Sequence, residues 1–178
     1  MSAPSTSTIP KTNPSLGRRR LGYAITSAVL ALVMAAAAVD AVDGVAILGV
    51  DSDEVQAVGG GFHLDVTYGV VSRPALATPF DIEVRHAGGF DAPIRVAVDH
   101  EYLRMWDENG LSPAPSSETV MGPWVVWEFE PPVGDTLRVT FDARIEPAAQ
   151  EGRSGRVAVL GADDQAVVDV SFTTRVLP

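Results

Sequence analysis

Apolar and polar residues alternate along most of the chain that follows residue 61. The segments at 62–68 (FHLDVTY), 80–85 (FDIEVR) and 136–145 (TLRVTFDARI) each place a hydrophobic side chain at about every second position. Because successive side chains of a strand point to opposite faces, this period predicts strands that bury one face and expose the other. Clusters of Gly, Pro and Asp, such as the one at 87–93, separate the alternating runs and predict turns.

About seven such strands follow one another between residues 62 and 178, at the turn spacing typical of an all-β sandwich. A segment of this length can bury a core without disulfides, and the chain contains no cysteine to form one. Trp127, Phe129 and Phe141 fall at inward positions and are the predicted centre of that core. We therefore predict an all-β domain over residues 62–178, built as an immunoglobulin-like β-sandwich.

A basic tail and a long apolar run precede the alternating region. Residues 1–20 are rich in Ser, Thr and Pro and end in three arginines, which predicts a disordered tail. The run at 21–39 has no charged residue, and as a helix it is roughly 28 Å long, close to the ~30 Å of bilayer hydrocarbon. Since arginines mark the cytoplasmic flank of a span, we predict a transmembrane anchor at 21–43, with residues 1–20 in the cytoplasm and the remainder outside.

A secretory signal peptide is the alternative interpretation of this run. Small residues at 36–38 fit a cleavage site, and the high alanine content weakens insertion, whereas the length of the run favours an uncleaved anchor. With an anchor the protein is a single-pass protein of the plasma membrane, and after cleavage it is secreted. Asp40 and Asp43 follow the run at a spacing of three, so they share a helix face at the outer membrane interface or form a paired site in the membrane.

Residues 44–61 separate the apolar run from the first alternating strand. The segment contains Asp51, Asp53 and Glu54 but lacks the glycine and the closing glutamate of a calcium loop. We interpret it as a solvated stalk or linker, with the three glycines at 59–61 as a flexible joint.

Charge and residue type exclude several functions. Residues 51–178 carry nine arginines, no lysine and 21 acidic residues, so a nucleic-acid partner is not expected. His63, His86 and His100 form no metal-binding spacing, and the sequence lacks nucleophile and phosphate-loop motifs. The sequence therefore predicts no catalytic residue, no metal and no cofactor, although convergence of His86 or His100 with carboxylates in a pocket would support an enzyme.

The segment at 99–110 (DHEYLRMWDENG) departs from the alternating pattern. Tyr102 and Trp106 are four residues apart, so one or two helical turns place them on one side. Such a helix either plugs one end of the sandwich, with Leu103 and Trp106 buried, or presents an aromatic patch to a partner. Trp124 is offset by one position from the inward Val125, so it is predicted on the face opposite the core. Tyr102, Trp106 and Trp124 are the candidate interaction surface.

The runs TPFDIEVRHAGGFDAPIRVAV and PPVGDTLRVTF resemble the bacterial immunoglobulin-like repeats of the CARDB and fibronectin III-like kind. The succession of basic tail, apolar run and strands is also similar to that of single-pass membrane proteins of high-GC actinobacteria. The resemblance implies a fold and carries no catalytic assignment.

These observations favour a membrane-anchored extracytoplasmic binding module that serves a larger membrane or envelope protein. The alternatives are a β-sandwich hydrolase or metal-dependent enzyme of the cell envelope, and a purely structural spacer. The expected contacts are membrane lipid, through the anchor, and a protein partner.

Overall fold

A computed structural model describes residues 50–177 of the chain. This part consists of ten β-strands and one short helix. In chain order the elements are β1 (Asp51–Gly59), β2 (Phe62–Ser72), β3 (Phe80–His86), β4 (Ile94–Asp99), α1 (His100–Leu103), β5 (Trp106–Ser112), β6 (Ser117–Met121), β7 (Trp124–Phe129), β8 (Thr136–Ile145), β9 (Arg153–Leu160) and β10 (Ala166–Val176). The all-β prediction is confirmed for this part of the chain, but residues 62–177 contain nine strands and not about seven, because Trp106–Ser112 and Ser117–Met121 also form strands.

The predicted tail at 1–20 and the predicted span at 21–43, with Asp40 and Asp43, lie outside the described residues. Within residues 50–177 no helix has the length and apolar character that crossing a membrane requires.

Nine strands form one sheet in the order β5-β8-β3-β2-β10-β9-β4-β7-β6, and β1 pairs with β2. Neighbouring strands are antiparallel except β2 and β10, which are parallel and joined only where Arg175 and Val176 meet Val71 and Ser72. The sheet curls, so that strands far apart in this order face each other. The rings of Trp127 in β7 and Phe141 in β8, for example, have centroids 6.0 Å apart.

The core lies between the facing parts of the sheet and follows the predicted alternation. In β8 the apolar residues Leu137, Val139 and Phe141 are buried, while the polar residues between them are exposed. Trp127 and Phe129 of β7 are each 1% exposed, which agrees with their predicted place at the centre.

The predicted linker at 44–61 is wrong where the structure describes it. Residues 51–59 form β1, which pairs with β2 from Asp51 opposite Val71 to Gly59 opposite Phe62. Gly60 and Gly61 have φ of 56° and 85°, the positive values that the two central residues of a tight hairpin turn require. A Cβ on Gly59 would lie 2.6 Å from the backbone oxygen of Val167, so this glycine allows close strand contact. The glycines therefore form a hairpin turn, and no flexible joint is present at 59–61.

Acidic residues occupy the two ends of the sheet, β5 and β6. Glu118 in β6 accepts a hydrogen bond from Nε1 of the buried Trp127, at 3.0 Å. Burial and, to a smaller extent, the charge of Glu118 raise the pKa of Glu108 in β5. Charged residues at sheet ends discourage edge-to-edge pairing with other chains. These carboxylates therefore disfavour pairing of the sheet ends with other chains, and they lower the stability of the fold to some extent.

The substitution Glu108→Gln is expected to stabilise the fold at neutral pH. A pKa raised in the folded state means that stability falls as the pH rises through this pKa, so the unfavourable contribution is present where the carboxylate is ionised. After solvent screening, removing one charge of an exposed pair changes the free energy of unfolding by about 0.2–1 kcal/mol. Guanidinium unfolding of the full chain in detergent, followed by tryptophan fluorescence, measures the change. The gain should vanish at about pH 3, where the carboxyl is protonated in both states. Glu130→Gln is the control. An equal gain at both pH values, or an equal gain from Glu130→Gln, would rule out repulsion between Glu108 and Glu118 as the cause.

Candidate functional site

The strand register brings four connections to one end of the fold. Phe62 pairs with His86, Arg85 with Thr136 and Arg95 with Leu160, so the connections at 60–61, 87–93, 130–135 and 161–165 lie at the same end. Asp51 and Val176 lie at the other end, beside the C-terminal end of β2. We name the end with these four connections the distal end and the other the proximal end.

An apolar cleft of about 450 Å³ opens at the distal end. This volume falls within the roughly 300–1,000 Å³ that is usual for ligand sites. Its lining includes the side chains of Phe62, His86, Phe90, Pro93, Leu160 and Ala162. Because three separate strands and two connections supply these residues, the folded sheet is required to assemble the cleft. We name it the distal cleft.

Three partly exposed rings form one wall of the distal cleft. The ring of Phe62 lies 4.8 Å from His86 and 6.4 Å from Phe90, measured between centroids, and His86 lies 6.0 Å from Phe90. Nδ1 of His86 donates a hydrogen bond to the carbonyl oxygen of Gly89, at 2.7 Å. Since a carbonyl only accepts, Nδ1 carries the hydrogen, and Nε2 of the neutral ring is the acceptor. The hydrogen bond holds the 87–93 connection against β3.

The surroundings of the distal cleft are acidic. The four distal connections contain no lysine or arginine, and their acidic residues are Asp91, Glu130, Asp135, Asp163 and Asp164. Arg95 of β4 lines the cleft, and its Nη1 lies 2.5 Å from Oδ1 of Asp164, so this cation is paired. The connections at this end of the fold therefore carry net negative charge beside an apolar cleft.

The structure places two of the three predicted interaction residues in the core. Tyr102 is 0% exposed and Trp106 is 7% exposed. Oη of Tyr102 lies 3.0 Å from Oγ1 of Thr174, which is also buried. The prediction that Tyr102 and Trp106 form an interaction surface is therefore wrong. Asp99 caps α1, and Tyr102 in this helix and Trp106 at the start of β5 both face the core at the proximal end. This agrees with the alternative prediction of a short helix that closes one end of the fold with Trp106 buried, although Leu103 is only partly buried.

Trp124 lies on the outer face of the sheet and is partly exposed. The guanidinium carbon of Arg156 stands 4.3 Å from the centre of its ring, a cation–π contact. One face of the indole is therefore covered by the protein itself, and Trp124 remains a candidate for partner contact through the part of its side chain that is still exposed.

The outer face of β2, β3 and β8 carries a second concavity of about 480 Å³, which is charged. Nη2 of Arg85 donates to Asp65, which is 7% exposed, and to Nδ1 of His63. Nη1 of Arg85 lies 3.2 Å from Glu83, which also pairs with Arg138 at 3.0 Å. These groups bind one another, so the network links the outer faces of β2, β3 and β8.

The three histidines lie in separate places. His63 belongs to this outer network, His86 lines the distal cleft and His100 begins α1. Within residues 50–177 no group of three or more histidine, aspartate and glutamate side chains is arranged to hold a metal ion.

No protein-family model matches the chain, and no curated protein sequence matches it significantly. The distal cleft is thus defined by its geometry alone.

The sequence did not predict Phe62 and Phe90 as residues of a site. The strand pattern assigns Phe62 to the core, and Phe90 lies in a segment that was interpreted only as a turn. The one sequence feature that could have indicated Phe90 is a large apolar residue inside the cluster of Gly, Asp and Pro at 87–93.

Proposed function

We propose that the protein is a membrane-anchored extracytoplasmic binding module in which an immunoglobulin-like β-sandwich presents a ligand site at its distal end. The observation that carries this proposal is the distal cleft, an apolar concavity at the surface of the domain. Concave apolar sites with a few polar groups are the usual form of ligand sites, and exposed apolar surface is costly unless something covers it.

The sandwich itself is part of the proposal. It is supported by contacts between the facing parts of the sheet, such as that of Trp127 with Phe141. It is also supported by the resemblance to CARDB and fibronectin III-like repeats of actinobacterial membrane proteins. Immunoglobulin-like domains use the connections at one end of the sandwich for binding, because the strands hold these loops rigidly.

The proposal takes the predicted span at 21–43 as the anchor of the domain. A secreted domain would use the same distal cleft without the anchor.

Site-specific photocrosslinking in the cells that make the protein tests this function. Ala162 is exposed and lines the distal cleft, and Ala148 is exposed in the connection between β8 and β9 at the proximal end. We expect a photoreactive residue at 162 to give a discrete higher-mass adduct, and one at 148 to give none of that mass. A structural spacer predicts no adduct at 162, and equal adducts at both positions would also contradict the proposal.

A further inference from the structure

We infer that the ligand of the distal cleft is a segment of a partner protein in which large apolar side chains are flanked by lysine or arginine. This inference rests on the proposed function and specifies the chemistry of the same site.

The charge around the cleft supports a cationic ligand. All five charged residues of the distal connections are acidic, as described above, and Glu128 adds a further carboxylate to the lining. Asp164 compensates the positive charge of Arg95, so the net negative charge comes from the other four acidic residues of the connections and from Glu128. A ligand that enters the cleft therefore meets a negative potential, which raises the encounter rate of cations and disfavours anions.

The apolar wall supports large side chains on that ligand. Phe62 and Phe90 present ring surface, while Ile94 and Leu160 are 4% and 7% exposed and close the floor. Aromatic and long aliphatic side chains contribute most of the affinity in such pockets. Aromatic faces beside the entrance also attract Lys and Arg through cation–π contacts.

Two other occupants fit the charge less well. An anionic lipid surface is repelled by the acidic distal end. A second copy of this chain that docks its own distal end symmetrically would bring like charges together. A cationic amphipathic segment of another protein satisfies both the apolar wall and the acidic surroundings.

Binding of three matched hexapeptides to the full chain tests the inference. The protein is placed in nanodiscs of zwitterionic phosphatidylcholine, with empty nanodiscs as the blank, and binding is measured by fluorescence anisotropy. The peptides are Lys-Lys-Trp-Leu-Lys-Lys, Glu-Glu-Trp-Leu-Glu-Glu and Lys-Lys-Ser-Gly-Lys-Lys. We expect the first to bind at least about tenfold more tightly than the other two, and to weaken when salt is raised from about 50 to 500 mM.

A matched pair of single variants and one double variant locate the binding. Ala162→Trp fills the cleft entrance and is expected to weaken the first peptide at least about tenfold, whereas the matched Ala148→Trp is expected to have no effect. Asp91→Asn combined with Asp135→Asn removes charge with little change of shape, and is expected to weaken binding about three- to tenfold and to reduce its salt dependence.

The outcomes separate this inference from the proposed function. Equal binding of the lysine and glutamate peptides, both blocked by Ala162→Trp, would overturn the cationic ligand while leaving the cleft as a binding site. Binding of the lysine peptide that Ala162→Trp does not weaken, or no binding of any peptide, would also overturn the inference. Crosslinking at residue 162 decides the proposed function independently.

Discussion

Replacement of Phe80 by alanine is expected to lower the free energy of unfolding by about 3–5 kcal/mol, the usual cost of removing a large ring from a packed core. Phe80 is 1% exposed. Its ring lies 5.4–5.9 Å, between centroids, from the rings of four other aromatic residues, namely Tyr102, Trp106, Phe141 and Phe172. These residues belong to α1, β5, β8 and β10, so one side chain joins the helix, two strands at one end of the sheet order and a strand in its middle.

Guanidinium and thermal unfolding of the full chain in detergent, followed by tryptophan fluorescence, measure this effect. A loss of this size corresponds to a fall in Tm of about 10–20 °C for a domain of this length. Phe90→Ala is the matched control, because it removes the same ring from a partly exposed position in the distal cleft. Its expected cost is about 1 kcal/mol. Similar costs at the two positions would show that Phe80 does not have the central role described.

Gly155→Ala is expected to destabilise the fold by about 2–3 kcal/mol, because the core has no space for a methyl group there. A Cβ at this position would lie 2.6 Å from both Cγ and Cδ2 of Tyr102 and 3.0 Å from Cε2 of Phe172. The ring of Tyr102 cannot move aside easily, since its hydroxyl is bonded to Thr174 and its faces are packed against other rings.

A double-mutant cycle isolates this steric conflict. In a Tyr102→Leu background the planar ring is absent, so the cost of Gly155→Ala should fall below about 1 kcal/mol. The same unfolding measurements are made on the unsubstituted protein, the two single variants and the double variant. An unchanged cost in the Tyr102→Leu background would mean that the destabilisation arises from the backbone of β9 and not from the ring.

The alternation of side chains predicted the strands well but predicted exposure less well. Ala97 and Ala158 face outward from β4 and β9, yet both are 0% exposed. They form a second small apolar cluster with Val126 and Leu160, against which Trp124 and Met121 pack. The two-residue period of a strand indicates which face of the sheet a residue occupies. Whether water reaches that residue depends on the size of the side chains beside it on adjacent strands.

The segment 99–110 also combines a correct local prediction with an outcome that depended on packing. Its composition and spacing predicted one helical turn with two aromatic residues on one side, and α1 with its Asp99 cap agrees with that. Whether the rings faced the core or solvent depended on Phe80, Gly155 and Thr174, which are remote in sequence. Local pattern therefore predicted the element, and packing from other strands decided its role.

By itself the sequence determined the all-β class, the central residues of the core and the acidic character of residues 51–178, because these follow from local periodicity and composition. Only the tertiary structure decided that 51–59 is a strand, that Tyr102 and Trp106 are buried, and that Phe62, His86 and Phe90 share a cleft. The physical reason is that strand pairing brings together residues far apart in the chain. The register and curl that do so are set by many weak contacts distributed over the whole sheet.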